Sequence, residues 1–117
     1  MMEAADMELN LRGRKKATLA IEFPDPFGTV ILPTPIKAEY DRIEEMIEEY
    51  DGKGFSVFQM KDAVDGLFLI AFEILCTSRD FHHSKEELEE LIDMDEAREI
   101  IRTWNTFILN VYSSKNA

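Results

Sequence analysis

The sequence predicts an α+β fold, with an N-terminal β-hairpin or three-stranded antiparallel sheet followed by a four-helix, mainly α body. Between residues 7 and 23, apolar and polar residues alternate with a period of two, as they do in half-buried strands. After residue 34, apolar residues recur every three or four positions, which is typical of amphipathic helices. Residue pairs that favour helix N-termini precede most of these stretches.

The chain length suits one compact domain. A chain of 117 residues buries somewhat under about 70% of its unfolded surface, which is enough for a core. We place this domain at residues 7–112, with a β part at 7–33 and a helical part at 34–112. We expect residues 1–6 to be disordered and the tail at 113–117 to fray.

The β part contains two alternating segments and a third apolar one. Segments 7–11 and 19–23 are separated by Gly13, which suits a tight turn, so we predict a hairpin between them. Prolines within 24–28 end the second strand, because proline cannot donate to a strand ladder. The β-branched segment 29–32 predicts an optional third strand.

The first two helices are predicted from their caps and stripes. Thr34 is the expected N-cap of the first, with Pro35 in the first helical position, where a missing N–H costs nothing. An apolar stripe then runs through 36–50. Ser56 and Gln59 form a capping-box pair that opens the second helix. That helix is apolar on most sides, so we expect it to be central or covered by a partner.

The last two helices have the clearest start signals. Ser84 with Glu87 predicts the start of a short third helix, and Asp93 with Glu96 predicts the start of the fourth. The fourth carries the cleanest apolar stripe in the chain, over 97–111. Four helices beside a small sheet should therefore enclose the core.

Residues that could support catalysis or metal binding lack the necessary arrangement. Cys76 is the single cysteine and lies in an apolar helix, where a buried thiol is unreactive. His82 and His83 are adjacent, a spacing that does not close a metal shell. Acid pairs such as Glu44–Glu45 occupy polar helix faces, and no glycine-rich phosphate loop is present. We expect no enzyme, cofactor or metal.

The charge distribution argues against nucleic acid as a partner. The net charge of the chain is −11. Most of it lies in residues 35–117, which contain 19 of the 24 acidic residues and nine of the 13 basic ones. A basic cluster at 12–16 suits phosphate contacts, yet the rest of the molecule would repel a polyanion. We interpret the cluster as a charged turn.

Membrane insertion and secretion are not expected either. The longest apolar run, 67–72, has six residues, whereas a membrane span needs about 20. The acidic start lacks the basic and apolar regions of a secretory signal. We therefore expect a cytoplasmic protein.

Three segments resemble those of a known family. Segment 7–15 has a short strand, a turn glycine and basic residues; 67–75 is an apolar central helix; and the acidic 84–91 precedes the aromatic 104–108. Together they resemble the small tail assembly chaperones of siphophages and prophages. The resemblance implies a non-enzymatic protein that binds the apolar, helical tape-measure protein and keeps it soluble while tail-tube subunits polymerise.

The expected partner-binding surface is a groove on the first and last helices, which also suits a homo-oligomer face. Its apolar lining and its acidic flank are distinguished by residue type. The predicted lining residues are Tyr40, Ile47, Trp104, Phe107 and Val111, and the flanking acids are Glu44, Glu48 and Glu49. Such acids would attract basic residues of a partner helix.

Two other functions fit the sequence. One is an acidic regulatory protein of the antitoxin or inhibitor type, which binds a basic protein surface. The other is a structural phage protein such as a head–tail connector subunit, which would remain in the mature particle. The acidic face of the first helix, Glu44, Glu45, Glu48 and Glu49, separates the first alternative from the chaperone hypothesis. Mutating it should abolish binding by the regulatory protein yet leave an apolar chaperone groove largely working.

Overall fold

A computed structural model describes residues 9, 11, 12 and 16–114. Within them, a two-stranded antiparallel sheet precedes four helices, which confirms the α+β class with a helical body. In chain order the elements are β1 (Thr18–Glu22), β2 (Thr29–Pro33), α1 (Lys37–Gly52), a 3₁₀ turn (Val57–Gln59), α2 (Met60–Leu75), α3 (Lys85–Leu91) and α4 (Met94–Ser114).

The hairpin joins β1 to β2. Leu19 lies opposite Leu32, and Ile21 lies opposite Val30. The turn between the strands closes with a 2.9 Å bond from the Phe23 N–H to the carbonyl of the glycine at position 28, which has a φ of +64°. Glycine adopts that left-handed conformation without steric cost. Residues 24–28 are therefore the hairpin loop and not simply the end of a strand.

This pairing corrects the predicted partner of the 19–23 strand. Val30 and Leu32 bury their side chains on the helices, whereas Leu9 and Leu11 are 71% and 61% exposed and lie in no strand. The segment with the more β-branched residues is the one that the helices cover, so burial favours it as the partner. The remainder of 7–11, Gly13 of the expected turn, and the ends at 1–6 and 115–117 lie outside the described residues.

The start of α1 also differs from the prediction. Thr34 does not cap the helix, because its hydroxyl donates a 2.8 Å hydrogen bond to the carbonyl of Ala17. The helix begins at Lys37, and the N–H of Ile36 donates to the Glu39 carboxylate at 3.2 Å. Thr34 thus ties the end of β2 to the chain just before β1.

The capping boxes of α3 and α4 form as predicted. The Glu87 N–H donates to the Ser84 hydroxyl at 3.1 Å, and the Ser84 N–H donates to the Glu87 carboxylate at 2.9 Å. Asp93 and Glu96 exchange the same two bonds at 2.8 and 2.9 Å. Each pair satisfies two N–H groups that the first helical turn leaves without partners.

The core surrounds α2, as its apolar composition predicts. This helix packs against α1, α3 and α4, and the Ser56 N–H donates to Gln59 just before it starts. An ion pair between Arg42 and Glu73, 2.8 Å long, joins α1 to α2 at the surface. The largest fully buried side chains are Trp104, Leu32, Ile43, Ile74, Leu75 and Leu88. They come from both the sheet and the helices, so the described residues share one core.

Candidate functional site

An apolar groove lies between the segment that leads into α1 and the C-terminal part of α4. It has a volume of about 650 Å³, within the range of roughly 300–1,000 Å³ that is usual for binding pockets. Six of its eight lining residues are apolar or aromatic. The lining residues are Thr34, Pro35, Lys37, Tyr40, Ile108, Leu109, Val111 and Tyr112. We call this surface the α1–α4 groove.

One wall of the groove is positioned by the sheet and the core. The hydrogen bond from Thr34 to Ala17 holds the chain at the entry to α1. Tyr40, in the first turn of that helix, stacks on the buried ring of Trp104 with 6.1 Å between centroids and 26° between planes. The tyrosine ring is therefore backed by the core and presents its other side to the groove.

The opposite wall is the last two turns of α4. Ile108 and Val111 are half-buried, whereas Leu109 and Tyr112 are each 66% exposed. Large apolar side chains that adjoin one another on a surface are typical of binding sites. This end of the helix therefore offers apolar area that the fold itself does not cover.

The charged rim of the groove is small. Lys37 forms an ion pair with Asp41, with 2.6 Å between the ammonium nitrogen and the carboxylate oxygen. The hydrogen bond and the charge of Asp41 raise the pKa of Lys37 above its usual value, so the lysine stays protonated. Because both groups are exposed, this pair contributes little to folding stability. It places one positive and one negative charge beside an apolar surface.

Of the five predicted apolar lining residues, two line the α1–α4 groove. They are Tyr40 and Val111. Trp104 is 0% exposed and Phe107 is almost fully buried, so neither lines an open surface, and the prediction of a groove at these positions is wrong. Their side of α4 packs on α2, because the strongest apolar stripe of a helix is the one that the core covers. Ile47 is partly buried against the core and does not reach the groove.

The predicted acidic flank is also placed elsewhere. Glu44, Glu48 and Glu49 do not line the α1–α4 groove. Glu49 lies near the end of α1, where its carboxylate is 4.0 Å from the ammonium of Lys53. The acid at the rim is Asp41, one turn after the helix begins.

Six of the eight groove residues were not predicted as such. They are Thr34, Pro35, Lys37, Leu109, Tyr112 and Ile108, the last of which was interpreted only as part of the core stripe. A signal for two of them was present, since Leu109 and Tyr112 are large apolar residues outside the main stripe of α4. Apolar residues off the core stripe of a helix indicate a second contact surface. Pro35 carries no such signal, because its position depends on where the sheet ends.

Cys76 and the histidines lie outside the groove. Cys76 is exposed and follows the last residue of α2, so the expectation of a buried thiol within that helix is wrong. Partial desolvation, and then the nearby Glu73 carboxylate, still raise the pKa of its thiol, so it is a weaker nucleophile than a free cysteine. His83 stacks on Phe27 with 4.0 Å between ring centroids, and its Nδ1 lies 3.2 Å from a Glu87 oxygen. His83 thus packs the hairpin loop against α3.

The described residues lack two further features. No three His, Cys, Asp or Glu side chains among them are grouped as metal ligands. None of the described helices combines the length and the apolar character that crossing a bilayer requires.

Comparison with known proteins gives no family assignment. No protein-family model, no curated protein and no solved structure matches the chain. Its function is therefore argued from its own residues and from the resemblance of its sequence pattern.

Proposed function

We propose that this chain binds an amphipathic helix of another protein in the α1–α4 groove and keeps that helix from aggregating. The observation that supports the proposal is the apolar lining of the groove, with Leu109 and Tyr112 each 66% exposed. An amphipathic helix buries its apolar face in such grooves through residues spaced three or four positions apart. The bound helix loses the surface through which it would aggregate.

The size of the groove is consistent with reversible binding. Full burial of a large apolar side chain is worth about 1.5–3 kcal/mol, so covering the exposed two-thirds of Leu109 gives about 1–2 kcal/mol. Tyr112 gives a similar amount. Association itself costs at least about 4 kcal/mol, so a few such contacts produce moderate affinity. A carrier that must hand its cargo on needs moderate affinity.

Within this activity, we propose a role as a tail assembly chaperone of phage or prophage origin. Its cargo is the long, apolar, helix-rich tape-measure protein, and growing tail-tube subunits displace it. The sequence pattern resembles that family, and the net charge of −11 would keep loaded copies apart by repulsion. The same charge attracts basic residues on the cargo.

The test is co-expression with the tape-measure protein that the proposed role requires as cargo, a long helical protein. Replacing two groove residues, Leu109→Asp with Tyr112→Asp, should move most of the long protein into the insoluble fraction. The matched control is Asn110→Asp with Ser113→Asp, which adds the same two charges at neighbouring exposed positions of α4. The control should keep the cargo soluble.

Two measurements make the outcome decisive. Circular dichroism and thermal melting of each variant show whether α4 still folds. If the groove and control variants solubilise the long protein equally well while both stay folded, the groove does not bind it. If the wild-type chain fails to solubilise it, the chaperone role is wrong.

The acidic face of α1 supports an alternative, a regulatory protein that binds a basic surface. Glu44, Glu45 and Glu48 form no ion pair with any described residue, so their charges are available to a partner. Reversing Glu45 and Glu48 to lysine should abolish capture of a basic protein. The same reversal should leave helix binding in the α1–α4 groove largely intact, which distinguishes the two functions.

A further inference from the structure

Among the residues that the structure describes, no strand pairs with the outer edge of β1. The Phe23 N–H bonds to the carbonyl of residue 28, and every second pair of an antiparallel ladder is hydrogen-bonded in this way. Counting back along the strand register, Leu19 and Ile21 are therefore in the hydrogen-bonded pairs with β2. In an antiparallel ladder the alternate residues direct their N–H and C=O groups away from the partner strand. Those residues are Ala20 and Glu22, and no described residue bonds to their main chain. An unpaired row of this kind is a template for another strand.

A cleft runs along this open edge. It lies between β1 and α4 and has a volume of about 320 Å³. No β2 residue lines it, so the cleft adjoins the edge of the sheet and not its face. The lining residues are Ala20, Ile21, Glu22, Phe23, Pro24, Ile92, Glu96, Glu99, Ile100 and Thr103. We call this surface the β1 cleft.

The chemistry of the β1 cleft is apolar and acidic. Ile92 and Ile100 are buried beneath it and provide an apolar base. Its charged residues are three glutamates, with no lysine or arginine among the lining. Glu99 pairs with Arg102 at 2.9 Å, an exposed pair that a competing cation can replace. Glu96 accepts a hydrogen bond from the Asp93 N–H.

We propose that the β1 cleft binds an extended, basic segment of another protein, which adds to β1 as a third strand. Its main chain would bond to the outward N–H and C=O groups of Ala20 and Glu22. Because successive side chains of a strand point to opposite faces, apolar residues enter the cleft while alternate Lys or Arg residues lie near the glutamates. A second copy of this chain is a poorer occupant, since two copies of net charge −11 repel each other.

This surface is separate from the groove that binds a helix. The two share no lining residue, since one uses Pro35, Tyr40 and the end of α4 and the other uses β1 and the first half of α4. A substitution in the β1 cleft therefore removes no lining residue of the α1–α4 groove. Each activity is tested with its own ligand.

The test uses a fluorescein-labelled hexapeptide of alternating lysine and valine, followed by fluorescence anisotropy. Ala20→Pro removes an outward N–H without removing a β1–β2 hydrogen bond, and proline is tolerated at such edge positions. It should weaken peptide binding about tenfold or more, since hydrogen bonds are lost and the ring blocks the approach. The matched control is Ile31→Pro, which makes the same change on the outer edge of β2, opposite Ala20. The control should bind like the wild-type chain.

Charge alone cannot produce this result, because neither proline substitution alters the net charge. Equal binding by the wild-type chain and the Ala20→Pro variant would overturn the proposal. If the Ala20→Pro variant fails to fold, amide hydrogen exchange on the wild-type chain is the deciding measurement. Bound peptide should slow exchange at the N–H groups of Ala20 and Glu22. Unchanged exchange at both would refute the added strand. A third outcome would also overturn the proposal: the wild-type chain binds no peptide but forms a dimer, and Ala20→Pro abolishes that dimer. The occupant of the β1 cleft would then be a second copy of this chain.

Discussion

Replacing Trp104 by alanine tests whether this residue belongs to the core or to a binding surface. Its side chain is 0% exposed and packs in the cluster that includes α2, with Tyr40 stacked on it. Truncation of a buried tryptophan costs about 3–5 kcal/mol, from lost transfer energy and the remaining cavity. That is a large share of the roughly 5–15 kcal/mol by which a domain is stable. We expect Trp104→Ala to unfold at much lower urea concentration.

The assay must avoid tryptophan fluorescence, since Trp104 is the only tryptophan. Far-UV circular dichroism in urea gives the free energy of unfolding from the midpoint and slope. Tyr112→Ala is the comparison, because this side chain is two-thirds exposed and its loss should cost below about 1 kcal/mol. If Trp104→Ala costs no more than Tyr112→Ala, the tryptophan is not a core residue and the reasoning from burial is wrong.

A second variant, Trp104→Phe, separates packing from hydrogen bonding. The indole Nε1 is buried and has no hydrogen-bond partner among the described residues. An unsatisfied buried donor costs about 1–3 kcal/mol, and phenylalanine removes it while keeping an aromatic ring beside Tyr40. We expect Trp104→Phe to cost clearly less than Trp104→Ala. Equal losses would mean that the indole donor has a partner.

Three further outcomes follow from single contacts. Thr34→Val should lower the free energy of unfolding in urea by about 0.5–1.5 kcal/mol, because the bond to the Ala17 carbonyl is lost; an unchanged value would mean that this bond does not hold the groove wall. The pKa of Glu87 is lowered below its usual 4.5, chiefly by the hydrogen bond from the Ser84 backbone N–H. Ionised Glu87 therefore stabilises the folded state fully above pH 4.5, and this contribution is lost as the pH falls through the lower pKa of the folded state. Thermal melting between pH 7 and 3 should therefore show a smaller acid-induced loss for Glu87→Gln than for the wild-type chain, and identical losses would contradict the shift. Cys76 should react with iodoacetamide at pH 7.5 more slowly than the thiol of the urea-unfolded chain, because partial desolvation and the Glu73 carboxylate raise its pKa although the side chain is exposed; equal rates would refute this.

The starts of α3 and α4 were predictable because each depends on residues within one turn. Ser84 with Glu87 and Asp93 with Glu96 exchange hydrogen bonds across three positions, so no distant residue is needed. Thr34 shows where this local reasoning fails. Its hydroxyl had two possible partners, the helix or the chain before β1, and only the folded hairpin brings Ala17 within reach.

The groove was predictable on the right helices but at the wrong residues. Periodicity showed that α4 has an apolar stripe, and Val111 and Tyr40 do line the α1–α4 groove. Periodicity does not show which part of the stripe another helix covers. Trp104 and Phe107 face α2, so the open surface falls to residues beside and beyond them.

The α+β class and the caps of the last two helices could be predicted from the sequence alone, because periodicity and capping act over a few residues. The apolar composition of α2 left two possibilities, a central helix or one covered by a partner, and the tertiary structure places it at the centre. Tertiary structure alone decided which segment pairs with β1, since the alternating segment 7–11 and the apolar segment 29–32 were both candidates and the helices bury Val30 and Leu32. It also decided which side of α4 stays open, because the core buries the faces that pack best and leaves the rest to solvent or to a partner.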